Sequence, residues 1–309
     1  MSVTVVGSAN LDLVYRVERI PAPGETVLAL ETDSVPGGKG NNQVTAAARA
    51  GAQASFVAAL GTDAAGERIV ESLGGSGVQL CIRRTATPTG TALITVDASA
   101  ENAIVVDSGA NRTLVDLTPE ERAVITDASV LLLQLETPVA TVLEAAVTAH
   151  TAGATVVLNA APIRSLPTEL LEAVDVLVVN EHEAALLAAD AGAPTGADAD
   201  ALAVILSSLG FAVIITIGAR GAVVCVPDQP PAHVAGLRVD AVDTTGAGDT
   251  FCGALVAELD RSTAAADDLG ALVAAAEFAT VAAALSVQRH GAVPSIPTLE
   301  EIHDFRSTA

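Results

Sequence analysis

Uncharged apolar runs of strand length alternate along this chain with longer stretches whose apolar positions follow helical spacing. Val3–Val6, Ser55–Ala59, Val130–Leu133, Thr155–Leu158, Val176–Val179 and Val213–Ile217 are too short for helices and too uniformly apolar for strands with one wet face. Between them, 42–50, 64–73, 138–150 and 181–189 predict helices. Strands apolar on both sides need cover on both sides. The pattern therefore predicts an α/β fold with three layers, α/β/α, around a mostly parallel central sheet. The last third predicts helices over 248–259 and 269–286 and a short one over 298–305.

Two regions depart from this rule. Residues 11–20 and 26–32 flank Pro21-Ala22-Pro23-Gly24, and their alternation predicts a hairpin with one wet face. Residues 91–96 and 102–106 flank Ala98-Ser99-Ala100 in the same way. Four such strands make a small second sheet, a lid built from about 11–32 and 90–107. With 309 residues, one large domain or two small ones are both open. No low-complexity linker or internal repeat divides the chain, so 1–309 is read as one domain with a β-sheet lid.

Charge narrows the partners. Fifteen basic residues against 37 acidic give a net charge of −22, a field that opposes broad tracking of nucleic-acid phosphates. Cys81, Cys225 and Cys252 are odd in number and lack CxxC spacing, which predicts reduced thiols in a cytoplasmic protein. Residues 201–219 are uncharged, but Ser207, Ser208 and Gly210 break the run into a helix end and a buried strand, so no membrane span is expected. The N-terminus has no basic region and Asp12 interrupts its apolar stretch, so no signal peptide is expected.

Two segments carry chemistry. In Val242-Asp243-Thr244-Thr245-Gly246-Ala247-Gly248-Asp249-Thr250-Phe251, small residues before a helix leave backbone N–H groups uncovered at the positive end of its dipole, which suits an anion. Asp249 lies in the first turn, either as a functional carboxylate or merely as a favourable N-terminal charge worth about 0.3–1 kcal/mol. In Pro36-Gly37-Gly38-Lys39-Gly40-Asn41-Asn42-Gln43, glycines permit close approach of a ligand, and amides and an ammonium supply donors. Lys39 is the only lysine in the chain. Asp12, after Asn10, is a candidate acceptor for a pair of sugar hydroxyls. Phe251 breaks a dinucleotide fingerprint begun at Gly246, which disfavours a dehydrogenase. Asp33 and Gly40 break a Walker A loop around Lys39, and Val78 breaks a hydrolase elbow at Ser76. No two of the five histidines have ligand spacing, which disfavours zinc.

These two segments resemble the paired signatures of the PfkB carbohydrate kinases. Further blocks follow in order: Gly7-Ser8-Ala9-Asn10-Leu11-Asp12, Pro23-Gly24-Glu25-Thr26, Gly109-Ala110-Asn111, Gln134-Leu135-Glu136, Asn180-Glu181-His182-Glu183 and Arg289-His290-Gly291-Ala292 to Pro294-Ser295. The resemblance spans nearly the whole chain and implies ATP-dependent transfer of the γ-phosphoryl group to O5 of D-ribose. Asp249 would be the base, with the N–H groups of Gly246, Ala247 and Gly248 as the anion hole. Asn10, Leu11, Asp12, Gly38, Lys39, Gly40, Asn41, Asn42, Glu136 and Asp249 would surround the sugar. Asn180, Thr216, Ile217, Gly218, Ala219, Arg220, Gly221, Gly248, Asp249 and Thr280 would meet the nucleotide. Glu183 would hold Mg²⁺ through water. Asp243, Thr245, Ser286, Arg289, Gly291 and Ser295 would enclose K⁺. The resemblance also implies a homodimer through the lids, whose alternating strands leave an apolar face.

Three positions depart from that pattern. Asn41 stands where alanine is common, Thr280 where Asn or His often flanks adenine, and Asn159-Ala160-Ala161-Pro162 lacks a proline. The alternatives are a kinase of deoxyribose, fructose or a nucleoside, or a sensing protein that retains the fold without turnover. A nucleoside base would want an aromatic shelf, and only Tyr15 and five phenylalanines are present.

Overall fold

The computed structural model describes residues 2–99, 101–262 and 264–308. The chain begins with β1 (Val3–Val6), β2 (Asn10–Arg16) and β3 (Glu31–Gly37), then α1 (Lys39–Arg49), β4 (Ala54–Gly61), α2 (Ala64–Gly74) and β5 (Gln79–Thr85). A hairpin of β6 (Gly90–Val96) and β7 (Asn102–Asp107) leads through a 3₁₀ turn at Gly109–Thr113 to α3 (Pro119–Thr126) and β8 (Val130–Leu133). Strand and helix then alternate: α4 (Val139–Ala152), β9 (Thr155–Asn159), α5 (Thr168–Glu172), β10 (Val176–Asn180), α6 (Glu181–Asp190), α7 (Ala199–Ser207) and β11 (Ala212–Thr216). The short strands β12 (Gly221–Cys225) and β13 (Ala232–Ala235) precede four helices, α8 (Ala247–Ser262), α9 (Leu269–Ser286), α10 (Ala292–Ser295) and α11 (Leu299–Thr308).

The large sheet has the order β13-β12-β11-β10-β9-β8-β1-β4-β5. From β11 to β5 every pairing is parallel, and only the β11–β12 and β12–β13 pairings are antiparallel. Successive side chains enter opposite layers. Val5, Phe56, Leu132, Val178 and Ile214 join Val44, Phe251, Leu255 and Phe278 of α1, α8 and α9. Val6, Val57, Leu131, Leu133, Val179 and Ile215 pack on Val142, Leu170 and Leu206 of α4, α5 and α7. This two-sided burial is why the strands read as unbroken apolar runs.

The uncharged stretch 201–219 divides at Gly210, whose φ of +110° turns the chain from α7 toward β11. The helix α9 is long and apolar enough to cross a membrane, yet it packs on α8, β12 and β13 with Leu272, Phe278 and Ala282 buried. Its composition is explained by its place in the core.

The second sheet has the order β3-β2-β6-β7. Its 90–107 half lies where the sequence places it, but the 11–32 half does not. The second strand is Glu31–Gly37, in register Arg16↔Glu31 to Asn10↔Gly37, and residues 17–30 form an irregular connection. Pro21 and Pro23 cannot donate to a ladder, and Glu25 accepts from Arg19 and from the Ala22 N–H instead of extending a strand. The central pairing, β2 with β6, is parallel, so the two hairpin-like halves join through a non-local contact that local alternation does not reveal. The strands β5, β12 and β13 were not anticipated. β5 is an edge strand carrying Arg83 and Arg84, and β12 and β13 are short.

Candidate active site

The carboxyl ends of β9, β10 and β11 meet the N-termini of α1 and α8 around a cavity of about 160 Å³. Open parallel sheets bind ligands at this end, where strand order reverses, and here β1 lies between β8 and β4. The lining includes Lys39, Asn180, Glu183, Thr216, Gly246, Ala247, Gly248 and Asp249, all singled out from sequence, together with Asn159, Thr244 and Cys252.

Gly246 takes φ +76°, and a Cβ there would lie 2.9 Å from the Cβ of Ala292, so a side chain would displace the turn. The Ala247 N–H donates to the Thr244 carbonyl at 3.2 Å, which occupies one of the three expected anion-hole donors. The N–H groups of Gly246 and Gly248 have no protein acceptor among the described residues, and Gly248 is exposed with open space around its Cα. Two free donors at the end of a sixteen-residue helix, with about half a positive charge behind them, can hold an anion. Asp249 is buried, and each of its carboxylate oxygens accepts an amide hydrogen bond at 2.9 Å, from Asn42 and from Gln43.

The Gly-Gly-Lys-Gly turn abuts the loop after β1. Gly38 has φ +89°, and a Cβ there would stand 2.9 Å from the Asn10 nitrogen. A Cβ on Gly40 would meet the Gly7 carbonyl carbon at 2.7 Å, and one on Gly37 would strike the Asp12 carboxylate. Glu136 binds this turn to the β1 loop, accepting from the Ser8 hydroxyl and from the Lys39 N–H at 3.0 Å. Asp249, Glu136 and Glu183 bear on one ammonium, that of Lys39. Burial works against its charge, but Asp249, Glu136 and Glu183 outweigh burial and hold Lys39 above its ordinary pKa. Burial, then the charges of Glu136 and Asp249, pushes the Asp12 carboxyl up to about 7.

Asn42 is tied to Asp249, so one amide hydrogen remains for a ligand. Asn41 is fully buried with its Oδ1 unpartnered. Leu11 pairs in the lid with Pro36 and Thr91.

On the other side, Asn180 and Glu183 form a reciprocal capping box at the start of α6, with both bonds at 2.9 Å. That box alone is worth about 1 kcal/mol to the helix. Because only one oxygen of Glu183 is engaged there, the other can face the cavity. Ile217, Gly218, Ala219, Arg220 and Gly221 follow β11 outside the cavity, with Arg220 paired to Glu181 at 2.5 Å. Thr280 also lies outside it, its hydroxyl donating to the Ala276 carbonyl of its own helix.

Asp243 accepts backbone N–H bonds from Thr245 and Gly291, each at 2.9 Å. Burial opposes ionisation of Asp243, but the Thr245 and Gly291 bonds outweigh it and hold the carboxyl below its ordinary range. The guanidinium of Arg289 pairs with Glu301 at 2.6 Å. Ser286 and Ser295 are buried, and their hydroxyls donate to carbonyls of their own segments.

Sequence reading missed several supporting amides. Asn111 donates to Asn10 Oδ1 at 2.7 Å and accepts from the Ala9 N–H at 3.0 Å, which fixes the loop after β1. Gln43, Gln134 and Asn159 form a buried chain behind Asp249. Each lies within or beside a motif already quoted, but its role depends on partners up to about 200 residues distant.

A helix mouth with free amides, a fixed carboxylate and a glycine-bounded polar pocket defines a site for transferring an anionic group to a small polar molecule. The model of the pfkB family carbohydrate kinases matches residues 1–299. A ribokinase of Staphylococcus aureus is 38% identical over 308 residues, covering 97% of this chain and 98% of the relative. Among solved structures, ribokinase from Thermotoga maritima superposes with a TM-score of 0.89 at 33% identity, covering 99% of each chain. Arabidopsis thaliana ribokinase complexed with ribose and ATP gives a TM-score of 0.89 at 32% identity, covering 98% of this chain and 97% of the other. The chain belongs to the pfkB family of carbohydrate kinases.

Proposed function

We propose that this enzyme transfers the γ-phosphoryl group of ATP to O5 of D-ribose, giving D-ribose 5-phosphate and ADP. The observation that carries this reading is the meeting of the Asp249 carboxylate and the free Gly246 and Gly248 N–H groups in one cavity with Lys39. The full-length likeness to ribokinases supports the choice of sugar. In this reading Asn10, Asp12, Lys39, Asn42 and Glu136 hold the sugar hydroxyls beneath the lid. Asp249 accepts the O5 proton as O5 bonds to the γ-phosphorus and the bond to the β,γ-bridging oxygen breaks. The Gly246 and Gly248 N–H groups hold the charge on the transferring group. Phosphoryl transfer depends on such positioning and charge stabilisation, with the proton leaving late, so an ordinary carboxylate suffices.

A site with three carboxylates around one lysine repels a bare triphosphate, and that donor set fits a divalent ion. Glu183, with Asn180 beside it, would hold Mg²⁺ through water, where the ion supplies charge neutralisation to the phosphates. Asp243 with carbonyls near Thr245, Ser286, Arg289, Gly291 and Ser295 fits K⁺, a hard cation of oxygen ligands. The 291–295 segment and the anion-hole turn touch at Ala292 and Gly246, so order in one fixes the other. Adding K⁺ to enzyme dialysed into tetramethylammonium buffer should raise turnover with little change in ribose KM, and Na⁺ should do less. A flat response at saturating Mg²⁺ and ATP would remove the ion from the account.

Ribose binding should also follow the titration of Asp12. As an acceptor for two hydroxyls it must be ionised, and its pKa is pushed up to about 7. Ribose KM should therefore fall as pH rises from about 6 to 8, and Asp12→Asn should abolish that slope. In the free enzyme the folded state keeps a proton that the unfolded chain loses near 3.8, so this group makes stability fall as pH rises from there toward 7.

The lid supports a homodimer. β7 is exposed along its whole length, with Ile104, Val105 and Val106 at 53, 67 and 51% exposure, and Leu93 lies beside it. A second copy of the same lid covers this face, and sedimentation should give a dimer at micromolar concentration; a monomer alone would contradict it. The acidic surface and reduced thiols fit a cytoplasmic enzyme. The function itself is tested by ADP release across pentoses, hexoses and nucleosides, with ribose expected to have the highest kcat/KM. A preference for deoxyribose, fructose or a nucleoside would replace the sugar but keep the chemistry, and no ADP release would point to a sensor.

A further inference from the structure

We infer that Gln43 is the positioning residue for the Asp249 carboxylate, locked in its working sense by Asn159. The inference deepens the reading of Asp249 as the base and rests on it. Gln43 is fully buried one position beyond the family-like Asn42, and its Nε2 donates to Asp249 Oδ1 at 2.9 Å and to Asn159 Oδ1 at 3.0 Å. Its Oε1 accepts from Gln134 Nε2 at 2.6 Å. Asn159 in turn donates to the Val178 carbonyl at 3.1 Å.

A primary amide can flip, and the flipped Gln43 would aim its oxygen at a carboxylate. Here the flip is blocked through Asn159. It would leave Asn159 Oδ1 facing an oxygen in a buried setting where an unmet polar group is costly, whereas Gln134, whose Oε1 is unpartnered, could turn with Gln43. Reversing Asn159 as well would bring its NH₂ away from the Val178 carbonyl, a fixed acceptor in the sheet. The chain therefore runs from the β10 backbone through Asn159 to Gln43 and the base, with Gln134, after β8, donating to the Gln43 oxygen. Asn42 holds the other carboxylate oxygen, and the two donors together fix the plane of the group. Helix α1 lies close against α8 here: a Cβ on Gly253 would strike the Gln43 carbonyl oxygen at 2.4 Å.

With Asn42 on the other oxygen, Gln43 orients the base. The other titratable groups that bear on Asp249 are Asp12 of β2, Lys39 of α1 and Cys252 of α8, with Glu136 and Glu183 acting on the same lysine. None of them is changed by substituting Gln43 with a neutral residue of similar length. A residue that merely filled space would alter stability or all kinetic constants alike. A positioning residue should alter turnover through Asp249 alone.

The test is a double-mutant cycle of Gln43→Met and Asp249→Asn in the full chain, with kcat and both KM values measured on folded protein. Gln43→Met alone should lower kcat at least tenfold and keep ATP KM within threefold. In the Asp249→Asn background the same change should cost less than twofold. Equal losses in both backgrounds, or a wild-type kcat for Gln43→Met, would overturn the inference. If Gln43→Met does not fold, Gln134→Met takes its place in the cycle, with a threefold or greater loss that vanishes beside Asp249→Asn. Failure of the base assignment shows separately, as wild-type turnover in Asp249→Asn alone.

Discussion

Asp249→Asn should cut turnover at least about 10²-fold while nucleotide binding stays close to wild type, the usual cost of a lost general base. Asparagine keeps the size of the side chain and one acceptor oxygen, so the cavity keeps its shape. It cannot take a proton at neutral pH. Its NH₂ group would also face the Asn42 or Gln43 amide donors, each now 2.9 Å from a carboxylate oxygen. The loss therefore combines a missing base with a disturbed amide frame. ADP binding by calorimetry isolates the chemical part, because the Gly246 and Gly248 N–H groups remain in place. Turnover near wild type would move the base elsewhere.

Asp12→Ala should raise ribose KM by roughly 10- to 100-fold, the equivalent of about 1.5–3 kcal/mol for a lost charged hydrogen-bond partner. ATP KM should change little, because Asp12 lies on β2 of the small sheet, whereas Asn180 and Thr216, which line the cavity, end β10 and β11. The substitution also removes one of the carboxylates that crowd the site, which tempers the cost: Asp12 is itself held partly protonated by burial and by Glu136 and Asp249. An equal rise in both KM values would indicate a displaced lid instead of a lost contact.

How far such a site can be read from sequence depends on whether its determinants are local. The buried parallel strands were legible because both faces are covered, so that Val3–Val6 and Val130–Leu133 contain no polar position at all except Thr4. The anion-hole turn and the Gly-Gly-Lys-Gly turn were legible for the same reason: each is a local arrangement of small residues before a helix. The edge strand β5 was not legible, because Arg83 breaks its pattern and finds Glu121 only through the fold. The parallel pairing of β2 with β6 joins residues some 80 positions apart, and alternation within either strand says nothing about it. The same limit applies to the amides. Gln43 stood inside a quoted motif, but nothing local distinguishes it from a solvated glutamine; its meaning comes from Gln134, Asn159 and Asp249, brought together by three different elements.

Some assignments changed character once the geometry was known. Ala247 was expected to donate into the anion hole, but its N–H closes the turn onto Thr244, leaving Gly246 and Gly248 as the open pair. The Asn180–Glu183 pair is a helix cap before it is anything else, and its other duties must be met with the one carboxylate oxygen that the cap leaves free.

The position of the transferred phosphoryl group tests the central claim most directly. Carbon and phosphorus NMR of the product from ¹³C-labelled D-ribose and ATP should show phosphorus coupled to C5, with one ADP formed per ribose consumed. Phosphorus on any other carbon, or release of inorganic phosphate with the sugar unchanged, would contradict it.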